Sequence, residues 1–350
     1  MELGIARFVT PTPIRRSRED ATLVSPVQSF LAEVELADRL GITFFTVGEH
    51  HSAEFIDSSP VVLLAAAAAR TQHIRLSSGV TVLSANDPVR CFEDFATLDQ
   101  ISNGRAEIIV GRGAYAETFS LFGLDGEDYD AIFKEKLDLL LRLRANEFIR
   151  WQGRFRPALT GQGVYPRPVQ VEMPIWLGVG GSPSSAVRAG TLGLPLALGI
   201  IGGTFAQQRE TVALYREAGA RAGQSPSRLK VCISCIGFLA DSQREALDRF
   251  YPAYEEIFGP LGRKVGWPPL TRQRFERMCS HEAALVVGGP DEVADKLQHI
   301  DEVLGGVDRV NLQMSLGSMP LDQRLHSVQL WSEQVRGFQA TKAAAQTASR

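Results

Sequence analysis

The residues best equipped for chemistry lie in a short stretch where an apolar run ends in one carboxylate and two imidazoles. Residues 44–51 read Phe-Phe-Thr-Val-Gly-Glu-His-His, which is typical of a buried strand that delivers polar groups to one edge of a sheet. Imidazole exchanges protons near neutral pH, so His50 is a candidate general acid or base. Successive strand residues face opposite ways, so His50 and His51 are not expected to bind one metal ion. For an isolated pair, histidines that only cap a strand are the simpler interpretation.

A second stretch has the residue types of an anion site. Residues 178–185 read Gly-Val-Gly-Gly-Ser-Pro-Ser-Ser and precede a predicted helix. Free backbone N–H groups at a helix start bind phosphate, and serine hydroxyls add donors. The candidate residues are Gly180, Gly181, Ser182 and Ser185. Serines that merely cap the helix explain the segment equally well.

Arg112 favours the phosphate interpretation. It lies between Gly111 and Gly113 at the end of another predicted strand, where its planar guanidinium can bind two oxygens of one phosphate. A surface ion pair is its alternative role. Glycine recurs at the predicted strand ends, including Gly178 and Gly199. Such positions let a ligand lie close against the backbone, and a flat aromatic ring is a suitable ligand.

These strand ends belong to a chain that alternates short apolar runs with helical periodicity. About eight strand–helix units close most economically as a (β/α)8 TIM barrel, an α/β fold in which catalytic groups come from the carboxyl ends of several strands. A doubly wound open sheet is the alternative. Its dinucleotide-binding form requires Gly-x-Gly-x-x-Gly after the first strand, where this chain has Thr10-Pro11-Thr12-Pro13, so we favour the barrel.

The predicted strands cover residues 3–9, 42–47, 74–83, 106–110, 175–179, 194–198, 229–239 and 307–314. The second helix is predicted to begin at the start signal Asp57-Ser58-Ser59-Pro60. Residues 1–338 are predicted to form a single domain, and residues 339–350 a flexible tail.

Two segments interrupt the alternation. Residues 147–172 contain glycines and prolines that predict a hairpin or loop excursion. Residues 259–283 are rich in glycine, proline and arginine, which predicts a long loop insertion after a helix over 242–258. Arginines and Lys264 make this insertion basic, which is explained better by a solvated loop than by a carboxylated substrate.

Composition and charge disfavour several classes of protein, including nucleic-acid-binding and membrane-spanning proteins. The chain has 350 residues, 44% of them hydrophobic, and a formal net charge of −3, so nucleic acid is not an expected partner. No apolar run is long enough for a membrane span, and Met-Glu-Leu-Gly at the start leaves no room for a signal peptide. A cytoplasmic protein is expected. Cys232 and Cys235 form Cys-x-x-Cys within a predicted strand, which favours buried thiols over a zinc site.

The combined motifs resemble the bacterial luciferase-like flavin-dependent monooxygenases. The resemblance rests on Val47-Gly-Glu-His-His, Ile74-Arg-Leu-Ser-Ser-Gly-Val-Thr-Val-Leu, Asp87-Pro-Val-Arg, Leu98-Asp-Gln-Ile-Ser-Asn-Gly-Arg and Gly111-Arg-Gly. Order and spacing match over residues 2–124, and residues 174–220 and 286–331 match more loosely. The resemblance implies a (β/α)8 barrel that uses reduced FMN and oxygen, although some relatives use a deazaflavin for hydride transfer.

Site residues follow from the same resemblance, position by position. His50 is similar to the family's catalytic histidine, with Glu49 and His51 beside it. Gly79–Val80 falls at a non-prolyl cis peptide bond beneath the flavin ring. Gly111 stands where luciferase has a cysteine, which disfavours light emission. The implied cofactor contacts are Glu49, Gly79, Val80, Gly111, Arg112, Gly180, Gly181, Ser182, Ser185, Gly199 and Ile200.

The sequence therefore predicts a monooxygenase that acts with reduced FMN and oxygen on a small organic substrate. The sequence contains no nicotinamide fingerprint, so a separate flavin reductase is the expected partner, with transient binding of a nicotinamide as the alternative source of reduction. The insertion at 259–283 would close as a lid. A homodimer is expected, because the family forms dimers and the alanines of 65–69 permit close helix packing. The alternatives are a deazaflavin-dependent dehydrogenase or reductase and a flavin-binding protein without turnover.

Overall fold

Parallel strands close into a barrel, as the sequence predicts. The computed structural model describes residues 1–113, 116–264 and 266–348. Eight barrel strands lie in that part of the chain: β1 (Glu2–Arg7), β2 (Phe44–Val47), β3 (Arg75–Ser78), β4 (Ala106–Gly111), β5 (Ile175–Val179), β6 (Leu196–Ile200), β7 (Val231–Leu239) and β8 (Arg309–Gln313). Each strand pairs with the next in parallel, and β8 pairs with β1 to complete the ring. The prediction of an α/β (β/α)8 TIM barrel is confirmed.

Helices surround the barrel. They are α1 (Pro26–Arg39), α2 (Pro60–Ala68), α3 (Pro88–Ser102), α4 (Ala116–Leu121), α5 (Tyr129–Ala145), α6 (Pro183–Thr191), α7 (Arg209–Arg221), α8 (Gln243–Lys264), α9 (Arg272–Met278), α10 (Pro290–Val303) and α11 (Leu321–Ala348). Proline at the first turn starts several of them, and Ser25 caps α1 by accepting from the Gln28 N–H. Short 3-10 helices occur at Gly126–Asp128, Phe205–Gln208 and Pro226–Arg228.

Short strands lie outside the ring. Ile14–Arg15 pairs with Leu23–Val24, Thr81–Val82 with β4, Phe148–Trp151 with Leu159–Gly163, and Val286–Gly288 with β7. The antiparallel pair within 147–172 is the predicted hairpin. The predicted strand over 74–83 is interrupted at Gly79, so that Thr81–Val82 forms a separate short strand.

The expectation for residues 259–283 is wrong in its secondary structure. α8 continues to Lys264 with Pro252 and Pro260 inside it, and α9 occupies part of the remainder. Phe250 of α8 and Phe275 of α9 pack with Phe238 of β7 in a second hydrophobic core. Burial of these aromatic side chains outweighs the proline and glycine signals that predict a loop.

The last helix, α11, extends to Ala348 across most of the predicted tail, and residues 349 and 350 lie outside the described part. The organisation as a single domain over 1–338 remains a prediction. No helix among the described residues is long and apolar enough to cross a membrane.

A charged group fills the amino-terminal half of the barrel interior. Glu107 accepts hydrogen bonds from Arg309 at 2.7 and 3.2 Å and also from Arg75. Burial would raise the pKa of Glu107, but the charges of Arg309 and Arg75 lower it. The Arg309 guanidinium lies 4.9 Å from the ring centroid of Phe44 and 4.5 Å from that of Trp176. This end of the barrel is filled by side chains, so a ligand must bind at the opposite, carboxyl end.

The Cys-x-x-Cys residues are buried thiols, as predicted. Cys232 faces the barrel interior and Cys235 the outer core, because strand residues three apart face opposite sides. Burial raises the pKa of each thiol to about 12. Both are free cysteines.

Candidate active site at the barrel mouth

His50 lies just beyond the end of β2, and a buried carboxylate holds it. Its Nδ1 lies 2.9 Å from Oδ1 of Asp57. The other oxygen of Asp57 accepts the backbone N–H of Val9 at 2.9 Å. Asp57 is fully buried and His50 is nearly so. The carboxylate therefore fixes the orientation of the imidazole and keeps a proton on Nδ1.

Sequence reasoning missed Asp57. It assigned the residue to the start signal of α2, but the N-cap position of α2 is Ser59, and Asp57 binds His50 instead. The available signal was an acidic residue in a short loop, seven positions after a candidate catalytic histidine. That spacing alone does not distinguish a helix start from a histidine partner, because the loop conformation decides where the side chain points.

Two phenylalanines pack on His50. The ring of Phe55 is stacked on the imidazole at 4.0 Å, and the ring of Phe8 meets it edge-on at 4.6 Å. A Cβ on Gly48 would lie 2.6 Å from both His50 Cε1 and Phe8 Cδ1. Glycine at position 48 is therefore required for the imidazole and the Phe8 ring to pack together.

Glu49 ties the end of β2 to the segment that follows β3. Its Oε2 accepts the backbone N–H of Val82 at 2.9 Å, and its Oε1 accepts from Asn86 Nδ2 at 3.0 Å. Nε2 of His51 also lies 3.0 Å from Oε1. Both carboxylate oxygens are thus bound by the protein itself, which gives Glu49 a positioning role. The cofactor contact assigned to it from the sequence remains a prediction.

Val80 covers the top of the barrel interior. The Gly79–Val80 peptide bond is cis, as the resemblance implies, and the half-buried Val80 side chain packs on the interior cluster of Phe44 and its neighbours. A Cβ on Gly111 would lie 2.6 Å from Val80 Cγ2, and one on Gly178 would lie 2.7 Å from Val80 Cγ1. These two glycines therefore make room for Val80, whereas the sequence analysis assigned them to close approach of a ligand.

The start of α6 has the features expected of an anion site. Gly181 has a φ of 93°, which favours glycine, and Ser182 occupies the N-cap position. Within the described chain, the Ser182 side chain makes no capping hydrogen bond; its Oγ lies 3.0 Å from Ser184 Oγ. A Cβ on Gly180 would meet no atom within 4 Å there. Simple serine capping therefore does not account for this segment, and its hydroxyls can serve as donors.

Cations from two strand–helix units converge beside α6. Arg188 Nη2 donates to Asp130 Oδ1 at 2.7 Å, Lys134 Nζ donates to Asp130 Oδ2 at 2.6 Å, and Arg112 Nη1 lies 3.7 Å from Oδ1. The hydrogen bonds from Lys134 and Arg188 lower the pKa of Asp130 despite some burial. Three cations share one carboxylate, so the cluster has an excess of positive charge that suits an anionic ligand.

Arg188 is the second residue that sequence reasoning missed. Its side chain is largely buried, and its Nη1 has no hydrogen-bond partner among the described residues. It follows the glycine–serine segment directly in sequence, but helical position alone does not show that its side chain reaches the same carboxylate as Arg112 does.

The remaining predicted cofactor contacts differ in whether their side chains face the barrel mouth or are buried. Gly199 faces the interior and is half-buried, whereas the Ile200 side chain is 2% exposed and packs in the main core. Alternation along β6 turns Ile200 away, so only its backbone can face a ligand. Ser185 is buried in the first turn of α6. Among the described residues, no group of histidine, cysteine and carboxylate side chains is arranged to hold a metal ion.

The sequence matches the model of a known protein family. Residues 3–307 match the family model described as luciferase-like monooxygenase. A curated relative, the 4-hydroxyprotoasukamycin monooxygenase of Streptomyces nodosus subsp. asukaensis, is 28% identical over 300 residues, which cover 81% of this chain and 80% of the relative.

Solved structures have the same architecture. Monooxygenase RslO1 from Streptomyces bottropensis is 28% identical, with a TM-score of 0.84 over 97% of this chain and 99% of that one. The oxygenating constituent of 3,6-diketocamphane monooxygenase from Pseudomonas putida, a type II Baeyer–Villiger monooxygenase in complex with FMN, is 21% identical, with a TM-score of 0.76 over 96% and 98%. At that lower identity the likeness establishes the fold.

Replacing Gly111 by alanine should destabilise the protein by about 1–3 kcal/mol, because the new methyl group overpacks against the stiff Val80 side chain. Urea denaturation measures the free energy of unfolding. In a Val80→Ala background the same substitution should cost less than about half as much. Gly126→Ala is a matched control, since its Cβ would meet no atom within 4 Å. An equal cost of Gly111→Ala in both backgrounds would contradict the packing described.

Proposed function

The chain belongs to the luciferase-like monooxygenase family, and from that premise we propose that it binds reduced FMN at the barrel mouth and oxidises a small organic substrate with molecular oxygen. One observation carries the proposal. A buried histidine–aspartate pair at the ends of β1 and β2 and a cationic cluster at the ends of β4 and β5 share the carboxyl rim of one closed barrel. The relatives with known structure support the use of oxygen and FMN.

The residues on the rim fit a flavin phosphate. The Arg188 Nη1 group is buried and unpaired among the described atoms, Arg112 is held only loosely by Asp130, and the Ser182 hydroxyl is not used for capping. Arg112, Arg188 and the first turn of α6 would hold the phosphate, and Val80 would support the flavin ring.

FMN in its reduced form supplies the electrons that activate oxygen. The chain itself handles the proton: with Nδ1 held on Asp57, His50 exchanges a proton at Nε2, and the buried carboxylate stabilises the imidazolium that forms. The rings of Phe8 and Phe55 exclude water from the imidazole. Glu49 keeps the segment carrying Val82 in register with His50.

A separate flavin reductase is the proposed partner. The chain contains no nicotinamide fingerprint after its first strand, and the Pseudomonas putida relative is described as the oxygenating constituent of its monooxygenase. The alternative is a deazaflavin-dependent dehydrogenase or reductase on the same barrel. Such an enzyme would not consume oxygen.

We further propose that two copies associate through α2. This helix reads Pro-Val-Val-Leu-Leu-Ala-Ala-Ala-Ala, yet Val62 is 67% exposed and Ala66 is also exposed. A helix that is apolar on all faces is normally covered. Sedimentation equilibrium at micromolar concentration should give a dimer mass, and Val62→Glu should reduce it. A wild-type monomer would exclude this pairing.

Replacing His50 by alanine should lower substrate oxidation at least about tenfold while FMN binding stays unchanged, because the proton donor and acceptor is lost but the phosphate site is not. Asp57→Asn should also lower turnover, since the asparagine side chain carries no charge to stabilise the imidazolium. Steady-state oxygen consumption and flavin fluorescence titration give the two readouts. Unchanged turnover in His50→Ala would remove His50 from the mechanism.

Replacing Arg112 or Arg188 by alanine should raise the dissociation constant for FMN about 10- to 100-fold, as expected for loss of a charge-assisted hydrogen bond. Riboflavin, which has the same ring and no phosphate, should bind the variants as it binds the wild type. Arg221→Ala is the matched control, since that arginine pairs only loosely with Glu217 on the exposed face of α7. Equal losses for FMN and riboflavin would exclude the phosphate role.

A further inference from the structure

Large apolar side chains are exposed around the barrel mouth. Ile56, Leu121, Phe122, Ile201 and Trp267 are between 38% and 64% exposed. They lie in the segments that follow β2, β4, β6 and β7, so all of them belong to the carboxyl end that carries His50. Exposed apolar side chains beside a candidate catalytic residue can be covered by an apolar ligand.

Contacts between segments connect these exposed apolar residues to the histidines after β2. The Phe122 ring meets the His51 ring edge-on at 4.9 Å. On the other side of α4, Lys264 Nζ lies 3.7 Å from Glu117 Oε1, which links α4 to the end of α8. The backbone N–H of Trp267 donates to the Gly262 carbonyl of α8 at 2.8 Å. These contacts link the segment that carries His51 to α4 and to the end of α8, next to which Trp267 lies.

The walls below the rim are apolar as well. Half-buried rings of Phe8 and Phe55 line His50, and the half-buried Val80 side chain forms the floor. The two carboxylates nearest His50 are already bound inside the protein, Asp57 by Val9 and His50, and Glu49 by Val82, Asn86 and His51. A cationic substrate would have to compete with these partners.

Three basic residues at the end of α8 and in α9 already have partners within the protein. Arg272 pairs with Asp248 and Glu276, and Arg274 donates to the carbonyl of Pro268. Lys264 lies against Glu117. A carboxylated substrate that paired with these three residues would have to break the contacts, whereas an uncharged one would leave them intact and bury the apolar rim.

We infer that the substrate is an uncharged molecule with a broad apolar skeleton, flat enough to pack on Phe122 and Trp267 and wide enough to touch segments after several strands. The claim that this molecule is oxidised rests on the proposed function, whereas the claim that it binds does not. Aromatic side chains favour a flat ring system over a flexible chain, because stacked and edge-on contacts add to the burial of apolar area.

The test uses two probes that differ in one charge, 9-fluorenone and fluorenone-2-carboxylate. Isothermal titration calorimetry on the whole chain, with and without FMN, measures binding in the absence of turnover. Fluorenone should bind at least about tenfold more tightly than its carboxylate, since burying an unpaired charge is costly. Phe122→Ala and Trp267→Ala should each weaken fluorenone binding about three- to tenfold, as expected for loss of a packed aromatic ring.

Phe148→Ala is the matched control. Phe148 is 65% exposed on the hairpin that connects α5 to β5, at the opposite end of the barrel, and its removal should leave fluorenone affinity unchanged. Equal affinity for both probes, or equal affinity of the rim variants and the wild type, would overturn the inference. So would rim variants that change the mass of the protein in solution but not fluorenone binding, because the rim would then be a protein interface.

FMN titration separates this inference from the proposed function. If FMN fails to bind while fluorenone binds and responds to Phe122→Ala, the apolar site stands and the flavin assignment fails. If FMN binds and fluorenone does not, the flavin site stands and the substrate class is wrong.

Discussion

Two buried carboxylates hold the reactive end of this barrel together. Asp57 joins Val9, two residues after β1, to His50 after β2, and Glu49 joins the end of β2 to the segment after β3. Neither bond lies within a strand ladder, so each one fixes the relative position of loops that strand pairing alone leaves free. The orientation of the imidazole depends on this arrangement, because Nδ1 of His50 is bound to Asp57 and the ring is packed between Phe8 and Phe55.

Different strand ends carry different polar groups. The histidine–aspartate pair lies at the ends of β1 and β2, and the cationic cluster lies at the ends of β4 and β5, where Arg112 and Arg188 approach Asp130. Between them, Gly111 and Gly178 leave room for Val80. The glycines thus accommodate the Val80 side chain, which packs on the apolar cluster inside the barrel.

Much of the fold could be predicted from the sequence, because hydrophobic periodicity reports which faces are buried. The strand that precedes Glu49 and His50 and the hairpin within 147–172 are present as expected. The cis bond at Gly79–Val80 is also present, but the family resemblance implied it and periodicity did not. Asp57 and Arg188 could not be assigned in this way. Asp57 reaches His50 because of the loop conformation, and Arg188 contacts Asp130, which is distant in sequence. Neither contact can be predicted from the local sequence pattern. α8 was mispredicted for a related reason, since its prolines are tolerated by packing of Phe250 and Phe275.

The most direct test of the account is to mix the oxygen-free protein with reduced FMN, and separately with reduced deazaflavin, then admit air and follow both flavin absorbance and oxygen concentration. The account predicts that the protein binds reduced FMN and alters the course of its reoxidation, and that oxygen uptake becomes coupled to oxidation of an added apolar substrate. A reoxidation course identical with and without the protein, or oxygen-independent hydride transfer from the reduced deazaflavin alone, would contradict it.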